Sequence, residues 1–424
     1  MCDSYRNVMI LFCLCSVVFL DGCAFSTLEK ELTELKQVKV LVGKITSQTQ
    51  PNKNVLIFLY EETTEGHRIS QASILDSELG WFVLEVQTGI YYLLAFEDLN
   101  NNLSYDENEP FGYYGNPDAI VISDKTPETW VGFDISMNAA SRFPESFPKG
   151  INLSADILRS SFVKMGQLIS FDDPLLAQEF GNKGYWEPLT FLREIGFSIF
   201  FKEKYDAGKT PVLFVHGAVG TPLGWEDTVK HMDLNRFQPW FYYYPSGLPL
   251  NQVSFALNQM IVALHGYYNF EKLYVVAHSM GGLVARSFIL QNSYESRQDF
   301  IKLFVSISTP WNGHRMSAKG IQQAPTAVPS WYDMVPDSEF IKSLYQRRLP
   351  GFVKHYLFFS YKGDRSLYLA NNDGTVELSS ELDIRAQAEA ERLFGYDEDH
   401  SSILNSEEVL LQINRLMSNY KLSP

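Results

Sequence analysis

From Pro211 onward, short apolar strands alternate with helical segments, and this alternation limits the fold more than any other feature of the chain. The runs PVLFVHG, LYVVAHS and IKLFVSIST are mainly apolar throughout their length. Between them, segments such as QVSFALNQMIVALHGYY repeat apolar residues every three or four positions. Strands that are apolar on both faces are typical of parallel sheets covered by helices on both sides. The sequence therefore predicts an α/β domain over residues 185–424.

Residues 37–138 have a different pattern, in which segments rich in β-branched and aromatic residues are separated by turn residues. They predict a small antiparallel β-sandwich that precedes the α/β domain. The order of its segments resembles that of transthyretin-like or carboxypeptidase-regulatory-like modules. Residues 23–36 are interpreted as a helical connector, and residues 139–184 as a linker followed by a helix.

The first 22 residues have the pattern of a secretory signal. The apolar run VMILFCLCSVVFL follows a single arginine, Arg6, and is too short to cross a bilayer comfortably as a helix. Directly after a glycine comes Cys23, in a context that resembles a bacterial lipoprotein signal despite Asp21. The resemblance implies acylation of Cys23 and a lipid-anchored protein of the bacterial cell envelope, with the outer membrane as the expected location. An ordinary secretory signal with an incidental cysteine is the alternative.

Charge and cysteine usage exclude several classes of function. The net charge of -15 argues against a nucleic-acid partner and against a polybasic membrane patch. All four cysteines lie within the first 23 positions, so the remaining chain has no thiol for a disulfide, a zinc site or a cysteine nucleophile. The chemistry of the α/β domain must come from other residue types.

The octet VVAHSMGG, residues 275–282, places Ser279 between a strand and two glycines. A helix-forming segment follows, so the serine occupies a strand-to-helix turn that would expose it at the edge of the sheet, near the positive end of a helix. Ala277 stands where the usual five-residue signature begins with glycine. Turns of small residues also occur without any catalytic role.

A second segment, VLFVHGAVGTPLGW, ends a buried strand in His-Gly and a loop. Together with the octet it resembles the α/β-hydrolase superfamily, in its bacterial lipase-like and esterase-like branch. The resemblance implies an oxyanion hole formed by the backbone N–H groups of Ala218 and Met280. His216 and His278 are interpreted as local structural residues.

The order serine, acid, histidine in this superfamily indicates the other two catalytic residues. His400 lies in a polar loop before the C-terminal helix, whereas His314 and His355 are interpreted as a loop residue and a strand-interior residue. Asp373 stands in an Asn-Asp-Gly turn that resembles the acid-bearing turn of lipases, and Asp364 is the alternative acid.

The resemblance predicts a serine hydrolase that cleaves carboxylic esters through a Ser-Asp-His triad and an acyl-enzyme, without a required cofactor. Apolar residues within 314–355 predict a cap insertion that lines an acyl pocket, to which the aromatic residues at 240–247 would add, and this favours lipid-like esters as substrates. A serine peptidase or an acyltransferase would use the same triad. A catalytically silent surface binding protein is the third alternative.

The segment DLNNNLSYDENE, residues 98–109, has the oxygen-bearing side chains of an EF-hand calcium loop at the right spacing. Leu103 stands where that loop has glycine. A hairpin loop whose side chains cap its own backbone is the alternative. The candidate Ca²⁺ ligands are Asp98, Asn100, Asn102, Ser104, Asp106 and Glu109.

Overall fold

The computed structural model describes residues 22–47, 55–75, 80–100, 102–127, 129–138, 143–149, 163–363 and 371–419. These residues divide into two compact units. One comprises Leu32–Gln167 and Leu192–Ser198, and the other comprises the described residues up to Glu31, Leu168–Phe191 and those from Ile199 onward. Except for Gly22, the predicted signal segment lies outside the described residues.

The first unit is a β-sandwich of two sheets. The first sheet has the order β4-β1-β8, with β9 also on β1, and the second has the order β3-β2-β5-β6, with β7 also on β5. Most neighbours are antiparallel, but β8 and β9 each pair with β1 in parallel, so the predicted sandwich is not purely antiparallel. The strands are β1 (Lys39–Ser47), β2 (Val55–Thr63), β3 (Gly66–Ile74), β4 (Trp81–Val86), β5 (Gly89–Glu97), β6 (Phe111–Tyr113), β7 (Ile120–Ile122), β8 (Thr129–Val131) and β9 (Ile135–Met137).

Strands β2 and β5 are buried on both faces, which explains why their sequences are almost continuously apolar. One set of alternate side chains, including Ile57 and Leu93, packs in the core of the sandwich. The opposite set, including Phe58 and Phe96, packs with Phe143 and Phe147 in a second cluster. Residues 143–149, predicted as a linker, are therefore part of the hydrophobic packing of this unit, which is a correction to the boundary at 138.

The second unit contains most of an eight-stranded sheet with the order β10-β11-β13-β12-β14-β15-β16-β17. The pairs from β13 to β17 along this order are all parallel. Interior strands such as β14 are buried except at their last residue, as their apolar sequences predict. The strands are β10 (Val163–Leu168), β11 (Phe197–Phe201), β12 (Thr210–Val215), β13 (Phe237–Tyr243), β14 (Leu273–His278), β15 (Ile301–Ile307), β16 (Lys354–Ser360) and β17 (Arg392–Tyr396).

Helices separate most of these strands. The long helix α5 ends at Tyr268, and the next residue, Asn269, caps it in a left-handed conformation. None of the helices in the part of the chain described here is long and apolar enough to cross a membrane. The helices are α1 (Gly22–Leu35), α2 (Gln178–Trp186), α3 (Pro188–Glu194), α4 (Glu226–Lys230), α5 (Leu250–Tyr268), α6 (Met280–Tyr294), α7 (Arg315–Gln323), α8 (Pro329–Met334), α9 (Glu339–Leu344), α10 (Leu378–Glu381), α11 (Ile384–Gln387) and α12 (Glu407–Asn419), with 3₁₀ turns at Pro174–Leu176, Pro222–Trp225 and Ser402–Asn405.

The sheet begins earlier than predicted. Residues 163–168, expected to continue a helix, form the edge strand β10. Gly166 has φ of +81°, a left-handed conformation that an α-helix does not accommodate. The sheet therefore starts before the predicted boundary at residue 185, while residues 154–162 of the predicted helix lie outside the described residues.

Numbered within the sheet, the strand order is 1-2-4-3-5-6-7-8, which is that of the α/β-hydrolase fold. The predicted fold class is confirmed. Helices α7, α8 and α9 form an insertion between β15 and β16, at the place where a cap was predicted.

Candidate active site

Ser279 lies in a strained turn between β14 and α6. Its φ and ψ of 55° and -131° are unusual for a residue with a side chain. The turn is held by two backbone hydrogen bonds, from the Ser279 N–H to the carbonyl of Ile307 at 2.8 Å and from the Gly282 N–H to the carbonyl of Ser279 at 2.9 Å. This geometry is that of a nucleophile elbow.

The glycines near the elbow are needed for close approach. A Cβ on Gly281 would lie 2.3 Å from the carbonyl oxygen of His216, and one on Gly282 would lie 1.9 Å from Oγ1 of Thr309. A Cβ on Gly217 would lie 2.8 Å from Cβ of Ser279. The small residues of both motifs therefore let the loop after β12 pack directly against the elbow.

The structure brings Ser279, His400 and Asp373 together in one hydrogen-bonded chain. Oγ of Ser279 lies 2.8 Å from Nε2 of His400, and Nδ1 of His400 lies 2.5 Å from Oδ2 of Asp373. The His400 N–H also donates to the carbonyl of Asp373 at 2.9 Å. With Nδ1 protonated, Nε2 is free to accept the serine proton.

Asp373 is fully buried and satisfied by donors on both oxygens. Oδ1 accepts hydrogen bonds from the N–H groups of Thr375 and Val376, and Oδ2 accepts one from Oγ of Ser360 at 3.0 Å. Burial opposes ionisation, but His400 and the backbone donors outweigh it and lower the pKa of Asp373 to about 2. The residue is therefore a carboxylate at neutral pH. Asp364, the alternative acid, lies outside the described residues.

Two further histidines lie beside the site and contact backbone carbonyls. Nε2 of His278 donates to the carbonyl of His400 at 2.8 Å, and Nδ1 of His216 donates to the carbonyl of Gly217 at 2.8 Å. Burial and the nearby charge of His400 lower the pKa of His278 to about 3. Burial lowers the pKa of His216 to about 4. Both are neutral at physiological pH, in agreement with their interpretation as structural residues.

The backbone N–H groups of Ala218 and Met280, the predicted oxyanion hole, lie on the loop after β12 and at the start of α6. Within the described ranges, neither N–H donates to another protein group. The neighbouring Val219 has a left-handed φ of 50°, which is strained for a β-branched residue. Its N–H donates to Oγ of Ser246 at 3.0 Å, and its carbonyl accepts from Nε2 of Gln178 at 2.7 Å.

The other two histidines after the elbow lie outside the triad. His314 donates from Nε2 to the carbonyl of Thr375 at 2.8 Å, and His355 is fully buried in β16 with its ring stacked on Phe304. The aromatic residues at 240–244, at the end of β13 and directly after it, are also fully buried, so their predicted place in the wall of an acyl pocket is wrong.

The cap insertion has a mixed character. Trp331, Met334 and Phe340 are mostly buried, whereas Tyr332 is exposed. A cavity of about 180 Å³ lies between the start of the insertion and the turn that follows Asp373, and it is bordered mainly by polar residues, including Asn312, Arg315, Asp337, Glu377 and Ser380. This cavity does not have the apolar lining expected of an acyl pocket.

Side-chain oxygens of the predicted calcium loop accept hydrogen bonds from the N–H groups of the loop's own backbone. The carboxylate of Asp98 accepts from the N–H groups of Asn102 and Leu103, and that of Glu109 accepts from those of Leu99 and Asp106. No cluster of three or more His, Cys, Asp or Glu side chains suited to a metal ion occurs in the ranges described above. These contacts match the self-capped hairpin, and Ca²⁺ binding stays a prediction without structural support. Leu103 adopts φ of 59°, which makes up for the missing glycine.

Several residues of the site carry no sequence signal. Ser246, Ser308, Ser360 and Glu381 are buried beside the oxyanion loop or the acid, but none of them belongs to the motifs. Only a tertiary contact identifies them, because serines and glutamates at such spacings are common in any chain.

The strand order and the elbow are those of the α/β-hydrolase fold, and Ser279, His400 and Asp373 form one hydrogen-bonded chain at the elbow. The family model of lecithin:cholesterol acyltransferases matches residues 251–323, which include most of α5, the elbow, α6 and β15. No curated protein sequence matches the chain.

Solved structures with similar regions have low sequence identity. A lipase of Bacillus licheniformis in its mature form is 19% identical, with a TM-score of 0.38 and coverage of 51% of this chain and 94% of that chain. A gene product of Listeria innocua is 14% identical, with a TM-score of 0.41 and coverage of 51% and 96%. A phospholipase of Legionella pneumophila is 14% identical, with a TM-score of 0.33 and coverage of 41% and 45%. Similarity at this level does not identify a substrate.

Proposed function

We propose that the chain hydrolyses carboxylic esters through a Ser279-His400-Asp373 triad. The observation that carries this proposal is the hydrogen-bonded chain from Oγ of Ser279 through the imidazole to a buried carboxylate. A serine in a strained elbow, in contact with an imidazole nitrogen that accepts its proton, is the arrangement that activates a hydroxyl for attack on a carbonyl.

In the first step, Nε2 of His400 accepts the proton of Ser279 while Oγ attacks the ester carbonyl. Asp373 keeps its negative charge and stabilises the imidazolium that forms. The oxyanion accepts hydrogen bonds from the N–H groups of Ala218 and Met280, and losing one such donor typically costs about 10² to 10³ in rate. The imidazolium then gives its proton to the leaving alcohol, and water cleaves the acyl-enzyme by the same route.

Lipid-like esters are the proposed substrate class. The match to the lecithin:cholesterol acyltransferase family supports this class, because it covers the elbow and the helices next to it. In the cap, Tyr332 is exposed and supplies aromatic surface for an acyl chain. Transfer to an alcohol in place of water is the second candidate, favoured by the same family match.

A panel of esters tests the proposed reaction. We expect the wild-type protein to hydrolyse p-nitrophenyl esters, and Ser279→Ala to lose this activity by at least about 10³-fold while its circular dichroism spectrum is unchanged. Ser293→Ala removes a hydroxyl that is buried without a partner within the described ranges, and it serves as the matched control. Activity on peptides but not on esters would contradict ester hydrolysis as the reaction. A long-chain alcohol added as acceptor separates hydrolysis from acyl transfer.

We further propose that Cys23 is acylated and anchors the protein to the bacterial outer membrane. The support is the apolar run at 8–20 followed by Gly-Cys. Acyl chains contribute about 0.8 kcal/mol per buried methylene, so several chains on one cysteine give stable attachment. Intact-mass analysis should show cleavage before Cys23 and added acyl mass, and Cys23→Ser should release the protein from membranes. Retention of that variant in the membrane fraction would contradict the proposal.

A further inference from the structure

A second buried carboxyl group lies behind the acid of the triad. Glu381, at the end of α10, has no exposed surface, and its Oε2 accepts a hydrogen bond from the N–H of Ser360 at 3.2 Å. The side chain also contacts the carboxylate of Asp373. Two carboxyl groups in contact within a dry interior cannot both be ionised without a large cost.

The hydroxyl groups around Glu381 donate their protons to other partners. Oγ of Ser360 donates to Oδ2 of Asp373, and Oγ of Ser308 lies 2.6 Å from Oγ of Ser360. Each hydroxyl has one proton to give, so Ser308, which also contacts Glu381, donates to Ser360, whose own proton goes to Asp373. Among the described residues, Oε1 of Glu381 consequently has no hydrogen-bond donor.

A buried carboxylate oxygen without a donor is costly, whereas a protonated carboxyl needs an acceptor for its own O–H. Asp373 is that acceptor, since it is ionised and adjacent. Among the described residues, the groups that act most strongly on Glu381 are this carboxylate and the polar groups of Ser308 and Ser360. Burial and the charge of Asp373 raise the pKa of Glu381 well above its ordinary value. This agrees with the hydrogen-bond argument, which also favours a protonated Glu381.

We propose that Glu381 is a neutral positioning residue that donates a hydrogen bond from Oε1 to the carboxylate of Asp373. This inference rests on the proposed function, because Asp373 is the acid of the proposed triad. The O–H holds the carboxylate against His400 and lowers its basicity, and thereby sets how readily His400 takes the proton of Ser279. No covalent bond changes, and the proton of Glu381 stays in place during the reaction.

Infrared spectroscopy of the full chain, labelled with ¹³C at the glutamate side-chain carboxyls, tests the protonation state. At pH 7 the wild-type protein should show a label-shifted C=O stretch of a protonated carboxylic acid, and Glu381→Gln should remove it. If Glu381→Gln does not fold, Glu381→Leu is the second variant in which the band should disappear. Absence of a protonated glutamate at pH 7 would overturn the proposal.

The pH profile of kcat/KM tests the positioning role. Glutamine reproduces the neutral donor and the acceptor for the Ser360 N–H, so Glu381→Gln should stay within about threefold of wild type and keep the midpoint of the acid limb. Glu381→Leu removes the donor, and should lower kcat about tenfold and move that midpoint upward. A downward move in Glu381→Gln would mean that a negative charge had been removed, which contradicts a neutral Glu381. Labelling of Ser279 by a fluorophosphonate reports the triad separately, so failure of the proposed function is distinguishable from failure of this inference.

Discussion

Nε2 of His400 lies 2.8 Å from Oγ of Ser279, although the two residues are 121 positions apart in the sequence. The distance is suitable for direct proton transfer without an intervening water. Nδ1 of His400 contacts the carboxylate of Asp373, and the carbonyl of His400 accepts a hydrogen bond from His278. The proposed general base is therefore fixed by three contacts before any substrate binds.

Replacing the acid by its amide should remove most of the activity. In Asp373→Asn an amide replaces the charged partner of Nδ1, so His400 no longer has the same stabilised tautomer, and kcat should fall by about 10⁴, as in the serine protease triad. Initial rates on a p-nitrophenyl ester measure the effect. Asp397→Asn, an exposed substitution nearby, is the matched control. Activity of Asp373→Asn within tenfold of wild type would point to another acid, and Asp364 would then be tested.

A methyl group on Gly217 should displace the nucleophile. Its Cβ would lie 2.8 Å from Cβ of Ser279 and 3.3 Å from Oγ. Since an error of about 1 Å in position costs about 10² in rate, Gly217→Ala should lower kcat/KM by about that factor. Gly266→Ala in α5 adds a methyl with no heavy atom within 4 Å, and should leave the rate unchanged. Equal rates for both variants would refute the close approach of the loop.

The hydroxyl of Ser246 should matter for the oxyanion loop. Its Oγ accepts from the N–H of the strained Val219, beside the proposed donor on Ala218. Loss of one hydrogen bond of about 1 kcal/mol predicts a decrease in kcat of about fivefold for Ser246→Ala, with little change in KM. The additional substitution Val219→Gly relieves the strain and should restore part of the rate. An effect on KM alone would instead assign Ser246 to substrate binding.

Acid should destabilise the protein through His355. Burial lowers the pKa of this ring to about 3, and its Nδ1 has no partner among the described residues. The unfolded chain binds the proton below about pH 6.5, so the free energy of unfolding falls as the pH decreases from 6.5 toward 3. Compared with His355→Phe, the wild type should lose about 2 kcal/mol more between pH 7 and pH 5. Urea unfolding followed by tryptophan fluorescence measures this difference, and parallel pH profiles would show that His355 is not neutral in the folded state.

The sequence predicted those parts of the fold and site that depend on local patterns. Strands β12, β14 and β15 follow from continuous apolar runs. The positions of Ser279 and Asp373 follow from short turns in which glycine is the next or a nearby residue. Strand β10 was missed because its conformation depends on Gly166 and on pairing with a distant strand. Glu381 was missed for a related reason. Its chemistry arises from burial beside Asp373, and no short segment contains that information.

The reactivity of Ser279 toward a fluorophosphonate tests directly whether this serine is the nucleophile. The folded wild-type protein should react with a fluorophosphonate, gain the mass of one adduct, and carry it on the peptide that contains Ser279. Ser279→Ala should gain no mass, and Asp373→Asn should react much more slowly than wild type. A wild-type protein that stays unlabelled while correctly folded, or an adduct mapped to another serine, would contradict the assignment of Ser279 as an activated nucleophile.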